Sequence, residues 1–384
     1  MSKYFFIVLL LSVLAGCHKQ EGQRLGLNMV SVDGMRNDDT GKFDSFFQFS
    51  HYITLETTDS SLIGKAKKIK MYDGKIYVLD GKDDKIVVFD SIGNYIRQYA
   101  HLGQGPGEYV GLGDFDIKGD TLYLMGEFDG YVLKYDLTDR YCGRERIPKA
   151  EGLLVLSNGD YALNLGLGRA DNGSGKSYNS YVVCREGDLL YQDIPFNKNI
   201  QGKAYSFGEG YNAFYHYKDS IFTFFPFNDT IYVVNPKDGV LNPYLSVALN
   251  KQKIELSMSA SKALKLAKEL TPSIFAFYKW DNYMCCSFYY ADNPRRYLIF
   301  SKDGSILFCG SFNLDKYKLP IRMVAYETDQ TSVQMLSLVY PEEMLFLYKK
   351  YGSNSKLLDK IASGMGEESN PVLLFYDFKL QDKK

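Results

Sequence analysis

Histidine, tryptophan and cysteine are scarce in this 384-residue chain: four, one and six residues. No HExxH, no paired CxxC and no phosphate-binding GxxxxGK[ST] occurs, so the usual zinc, redox and nucleotide signatures are missing. Net charge is −1 with no basic run, which argues against nucleic acid as a partner. Apart from residues 5–14 there is no long apolar run, and that one is too short to cross a bilayer comfortably. What the chain has in quantity is tyrosine and phenylalanine, 32 and 25 residues, within a hydrophobic content of 45%. A large core and a preference for strands follow.

Residues 74–109, GKIYVLDGKDDKIVVFDSIGNYIRQYAHLGQGPGEY, set the pattern. Ile76–Asp80, Ile86–Asp90 and Tyr95–Tyr99 are short β-branched and aromatic runs separated by turn-forming residues. With Ala66–Tyr72 in front they make one four-stranded antiparallel sheet, the size of a propeller blade. Phe89, Tyr135, Cys184, Val234, Phe300 and Phe375 close the third strand of successive units, at steps of 46, 49, 50, 66 and 75 residues. The first three steps match the roughly 40–50 residues of known blade repeats. The two long steps hold helical insertions, at about 253–270, with Leu256, Met258, Ala263, Leu266 and Leu270 near one face, and at about 341–363, opened by Pro341-Glu342-Glu343.

The expected architecture is therefore an all-β, six-bladed propeller over 50–384, with blades near 64–103, 110–148, 150–197, 209–249, 273–314 and 321–380. The last unit lacks its outer strand, and Tyr52–Thr57 is a spare one. Pairing the two closes the ring and removes an exposed edge. A seven-bladed count, with 32–56 contributing more, is the alternative.

Residues 1–16 have the charge, apolar stretch and small residues of a secretory signal. Leu14-Ala15-Gly16-Cys17 resembles the lipobox of bacterial lipoproteins. That resemblance implies cleavage before Cys17 and lipid on its sulfur, with stable anchoring by several acyl chains. A plain signal peptide with a chance cysteine is the other reading. Residues 17–49, polar and glycine-rich, are expected to form a flexible tether.

Gly103-Gln104-Gly105-Pro106-Gly107-Glu108-Tyr109, behind a lipobox, resembles the six-bladed propeller lipoproteins of Bacteroidetes-type bacteria, relatives of NHL-repeat propellers. The closing NPVLLFYDFKL resembles the last strand of that family. The resemblance covers about 50–382 and implies fold and location, the cell envelope and its outer membrane, more than activity. On the residues alone, Gly103, Gly105, Pro106, Gly107 and Glu108 form either a rigid linker or an anion-binding nest, with Glu108 able to cap the amides from within. Asp90, Asp120, Asp219 and Asp229 each precede Ser or Thr and then Ile or Leu. This resembles the O-glycosylation acceptor of the same bacteria, and it equally suits turns that precede strands.

Candidate ligand-binding residues are Asp114 and Asp116, on one face of the innermost strand of blade two, and His216 in that of blade four. Lys279 and Trp280 end the inner strand of blade five, and Arg322 begins blade six. Each has a plainer alternative: channel wall, packed histidine, inter-sheet aromatic or surface charge. Axial calcium, as in lactonase-type propellers, needs inward acids or amides on several blades, and only Asp114 and Asp116 are found. Neither a metal nor a cofactor is expected. Five cysteines other than Cys17 lack metal spacing and read as small buried residues. Two functions remain: a monomeric, lipid-anchored binding or scaffolding module for a glycan, peptide or protein, or a hydrolase or lyase built on Asp114, Asp116 and His216.

Overall fold

The computed structural model describes residues 29–32, 43–167, 170–171, 176–201, 212–249, 253–269, 274–288, 295–329 and 333–379. Six four-stranded antiparallel blades follow one another, as the period predicts. Blade one is Ala66–Tyr72, Lys75–Asp80, Lys85–Asp90 and Tyr95–Tyr99. Blade two runs from Leu112–Lys118 to Tyr141–Arg146, blade three from Gly152–Val155 to Asp188–Pro195, and blade four from Phe214–Tyr217 to Leu241–Ala248. Blade five spans Ile274–Trp280 to Ile306–Gly310. Turn chemistry fixes the registers: Asp73 and Gly74, at φ +50° and +66°, make the two-residue turn between the first strands of blade one.

Blade six joins Met323–Val324, Met335–Val339 and Val372–Phe378 to Phe47–Thr54 from the other end of the chain. Tyr52 pairs with Leu374 and Thr54 with Val372, so head and tail share one sheet. The closing strand is Phe47–Thr54, so it begins five residues before and stops three residues before the bounds of the expected Tyr52–Thr57, leaving 55–57 outside the strand. Gly93 braces this seam: its carbonyl accepts from Glu56 N–H at 2.8 Å, and a Cβ there would lie 2.2 Å from the Thr54 carbonyl.

Two expectations need correction. The tether does not extend to residue 49. Met29–Ser31 adds a parallel strand to the outer edge of blade four, and Phe43 is 1% exposed, stacked on Phe47 with its edge to Tyr376 and Phe312. Burying these aromatics outweighs the polarity of their neighbours, and the added strand covers an open edge. The first insertion becomes helical only at Ala260–Glu269. The Asn197 amide donates to the carbonyls of Glu255, Leu256 and Met258, which holds that stretch out of the helix and leaves Leu256 exposed. Leu270, expected on the same face, lies outside the described residues. The second insertion is Pro341–Tyr351 and Lys356–Ala362, broken at Gly352, with Glu342 and Glu343 in its first turn and Lys349 and Lys350 in its last, as a helix dipole favours.

Connections from second to third strand, and from each blade to the next, emerge at one end of a propeller. Both helical insertions and the Gly-Pro-Gly loop are of these two kinds, so one end of the ring carries the elaborations and the other mostly short turns. Cys184, Cys285, Cys286 and Cys309 are buried free thiols, as expected, whereas Cys142 is exposed on the outer strand of blade two.

Candidate functional site at the ring axis

The innermost strand of a blade has one edge with no neighbour, and its amides need acceptors. Strand alternation supplies them here. Asp114 and Asp116 sit two apart on Leu112–Lys118 and face the same way. Asp114 Oδ2 accepts from Leu153 N–H at 2.7 Å, and Asp116 Oδ2 accepts from Val155 N–H at 2.8 Å, so the pair satisfies the free edge of blade three. Their other oxygens accept from their own successors, Phe115 N–H and Ile117 N–H, both at 2.7 Å.

On the other side stand Lys68 and Lys70 of blade one, with the same two-residue spacing. Lys68 Nζ is 2.9 Å from Asp114, and Lys70 Nζ is 2.6 Å from Asp116. Glu327 completes the cluster. It leaves the inner strand of blade six and, with Thr328, pairs in parallel with Lys70 and Met71. Its carboxylate lies 2.9 Å from Lys68 Nζ and 2.5 Å from Lys70 Nζ, and accepts from Asn212 Nδ2 of blade four at 3.0 Å. One side chain thus ties blades one, four and six together at the axis.

All five charged residues are at most 6% exposed. Burial works against the Lys70 charge, but Asp116 and Glu327 outweigh it and hold its pKa above the ordinary value. Burial alone would raise Glu327; Lys68 and Lys70 more than offset this and hold it well below the carboxylate range. His216 Nε2 is 3.7 Å from Glu327, too far for a hydrogen bond, and burial lowers its pKa. Burial raises the Asp114 pKa against the pull of Lys68. The cluster thus gathers two lysines, three acids and an imidazole.

The expected site is only partly assembled. Asp114, Asp116 and His216 do converge. His216 and Lys279 also meet, beside Tyr326, at a cavity of 10 Å³, room for about one water. Lys279 Nζ donates to the Asp281 carbonyl at 2.8 Å and lies over the Tyr217 ring. Trp280 offers no open plate: it stacks on Phe378 at 4.4 Å and on Tyr278 at 5.7 Å, and Nε1–H donates to the Val333 carbonyl. It fills the seam between blades five and six because an indole is large and has one donor to satisfy. Arg322 is paired with Glu343 at the start of the helix and takes no part in the cluster. Among the described residues no group of three His, Cys, Asp or Glu side chains could hold a metal.

The glycine-proline loop is closed on itself. Glu108 Oε2 accepts from Gly105 N–H at 2.8 Å, so the nest already holds a carboxylate. A Cβ at Gly103 would fall 2.0 Å from that oxygen, and Gly107, at φ +83°, abuts the Tyr141 ring. The Gly107 carbonyl accepts from the Tyr135 hydroxyl, which anchors the loop to blade two. Pro106 is exposed at its tip.

Lys68, Lys70 and Glu327 were not anticipated. The lysines had a signal: 68 and 70 lie 46 residues before 114 and 116, one blade period, with opposite charge at matching positions. Glu327 had none, because it comes from an irregular connection.

A family profile described as "Domain of unknown function (DUF4934)" matches residues 28–377. Among solved structures, a putative exported protein from Bacteroides fragilis is similar at 18% identity and a TM-score of 0.68, over 92% of this chain and 99% of that one. A member of the DUF4221 family from Bacteroides vulgatus is similar at 10% identity and a TM-score of 0.50, over 87% and 98%. At these identities the likeness is one of fold. No curated protein matches the chain.

Proposed function

The chain belongs to the DUF4934 family, and from that premise we propose that it is a non-enzymatic binding or scaffolding module of the bacterial cell envelope. In this reading Cys17 carries the lipid and holds the propeller at the outer membrane, where the ring presents one end to a glycan, peptide or protein partner. The observation that carries it is the state of the channel acids. Asp114, Asp116 and Glu327 each face ammonium or amide donors and are nearly inaccessible. A general acid or base must reach its substrate within hydrogen-bond distance, and these groups are committed to holding blades together. The elaborated end, with both helical insertions, supports a surface function, since recognition is commonly carried by loops on a rigid scaffold. No helix among the described residues is long and apolar enough to cross a membrane, so the lipid is the attachment the proposal relies on.

The test is capture by the purified chain on glycan and peptide arrays and from envelope extracts, beside a lipidation assay on Cys17→Ser. Specific retention with no chemical change in the ligand supports the proposal. A ligand that is bound and then converted refutes the non-enzymatic reading. A Cys17→Ser protein that still carries lipid refutes the anchor.

A further inference from the structure

The added strand on blade four fixes where the chain leaves the ring on its way to Cys17. Met29–Ser31 lies parallel to the outer strand Leu241–Ala248, with Met29 opposite Ser246 and Ser31 opposite Ala248. Val30 is fully buried there, and Val32 N–H donates to the Ala248 carbonyl at 3.2 Å. The outer strand of a blade runs towards the connection to the next blade, here the one that carries Ala260–Glu269. A parallel partner runs the same way, so Met29 stands at the opposite end of the ring, among the short turns. Its neighbour there is Gly304, in the turn between the third and fourth strands of blade five: a Cβ on Gly304 would sit 3.5 Å from the Met29 carbonyl.

Chain length turns this placement into an orientation. Cys17 is twelve residues upstream of Met29, and twelve residues stretched straight cover about 40–43 Å. To lay the helical end on a bilayer, that chain must climb the outer strand of blade four, eight residues or about 26 Å, and then a helix diameter of about 10–12 Å. The climb uses nearly the whole reach, which only a straight chain with no conformational freedom attains. With the short turns towards the bilayer no climb is needed. One feature draws the other way: Phe128 and Phe346, 57% and 63% exposed, both lie at the helical end. They belong to different blades, two and six, and singly exposed aromatics are ordinary on a protein surface. The short turns are polar, with Asp73, Asp120, Asp219 and Asp281 exposed, so that end faces headgroups across water without entering hydrocarbon.

We infer that the short-turn end of the ring faces the lipid surface and that the end carrying both helical insertions points away from it. The inference rests on the lipid attachment at Cys17 proposed above and adds a direction to it: the membrane takes one end of the ring, and the helical end is the one open to a partner.

The experiment is energy transfer from single fluorophores to a headgroup-labelled lipid, with the lipidated full chain in vesicles of phosphatidylethanolamine and phosphatidylglycerol. Cys142→Ser removes the exposed thiol, and cysteines enter one at a time at exposed positions: Asp120→Cys and Lys237→Cys at the short-turn end, Lys262→Cys and Lys349→Cys at the helical end. The first two should lie nearer the bilayer by about 25 Å, one strand length. Val30→Asp places a charge where the added strand is buried, so it should release that strand, lengthen the free chain and erase most of the difference. Twelve Gly-Ser residues inserted before Met29 should do the same without touching the ring. Equal transfer from all four positions, stronger transfer from the helical end, or a difference that survives the insertion overturns the orientation. Vesicle flotation separates the two readings. A chain that floats with the transfer reversed keeps the anchor and loses this orientation, whereas a chain that does not float loses both.

Discussion

Glu327→Ala removes the one side chain that joins three blades at the axis. Lys68 and Lys70 each lose one of two carboxylate partners, and the Asn212 amide loses its acceptor, all below 7% exposure. Removing one partner from a buried ion pair costs about 3–5 kcal/mol, because charge is left uncompensated rather than because the pair is intrinsically strong. With an unfolding entropy of about 2.1 cal/mol/K per residue over a propeller of some 330 residues, one degree corresponds to about 0.7 kcal/mol. The melting midpoint should therefore fall by about 4–7 °C, and the urea midpoint should fall with an unchanged slope. A double-mutant cycle with Lys70→Met separates this from a simple cavity: the coupling should be about 1–3 kcal/mol. A loss within about 0.5 kcal/mol, or strict additivity with Lys70→Met, would refute the claim that Glu327 spans the channel.

Burial lowers the His216 pKa, so the unfolded chain binds a proton that the folded chain rejects. Its contribution is complete above the unfolded value of about 6.5 and is lost as pH falls below it. The stability difference between wild type and His216→Gln should accordingly shrink on going from about pH 7.5 to 5.5, read from urea midpoints; a constant difference contradicts the shift. Gly93→Ala combines φ +97° with a Cβ 2.2 Å from the Thr54 carbonyl. It should cost at least the ~1–3 kcal/mol of left-handed strain, with amide exchange at Ile53 and Leu373 accelerating first. Phe43→Ala should cost about 3–5 kcal/mol in chemical melts if the aromatic cluster belongs to the core; a surface-like loss would return that segment to the tether.

The ring was legible because blades repeat and strands alternate. Six apolar anchors counted the blades, and the surplus strand near residue 52 located the closure, since an unpaired edge at one terminus and a spare strand at the other have one mutual solution. The insertions were legible through Pro341 and the apolar spacing around Leu266, though not the start at Ala260, which a distant asparagine sets. The axis was half legible. Alternation placed Asp114 and Asp116 together but could not say whether water, ligand or protein would face them. Lys68 and Lys70, one period upstream, answer that, and Glu327 arrives from a connection with no periodicity to read. Trp280 shows the limit of composition: a lone tryptophan near a channel mouth is equally a seam filler, and stacking on Phe378 depends on a strand a hundred residues away.

Whether the axial carboxylates are structural decides between a binding module and an enzyme. The direct measurement is turnover of a broad hydrolase and lyase substrate panel by wild type and by Asp114→Asn/Asp116→Asn/His216→Gln, with folding followed in parallel. Wild type should show no turnover above background. Conversion by wild type that disappears in a folded triple variant would contradict a purely structural role for these groups.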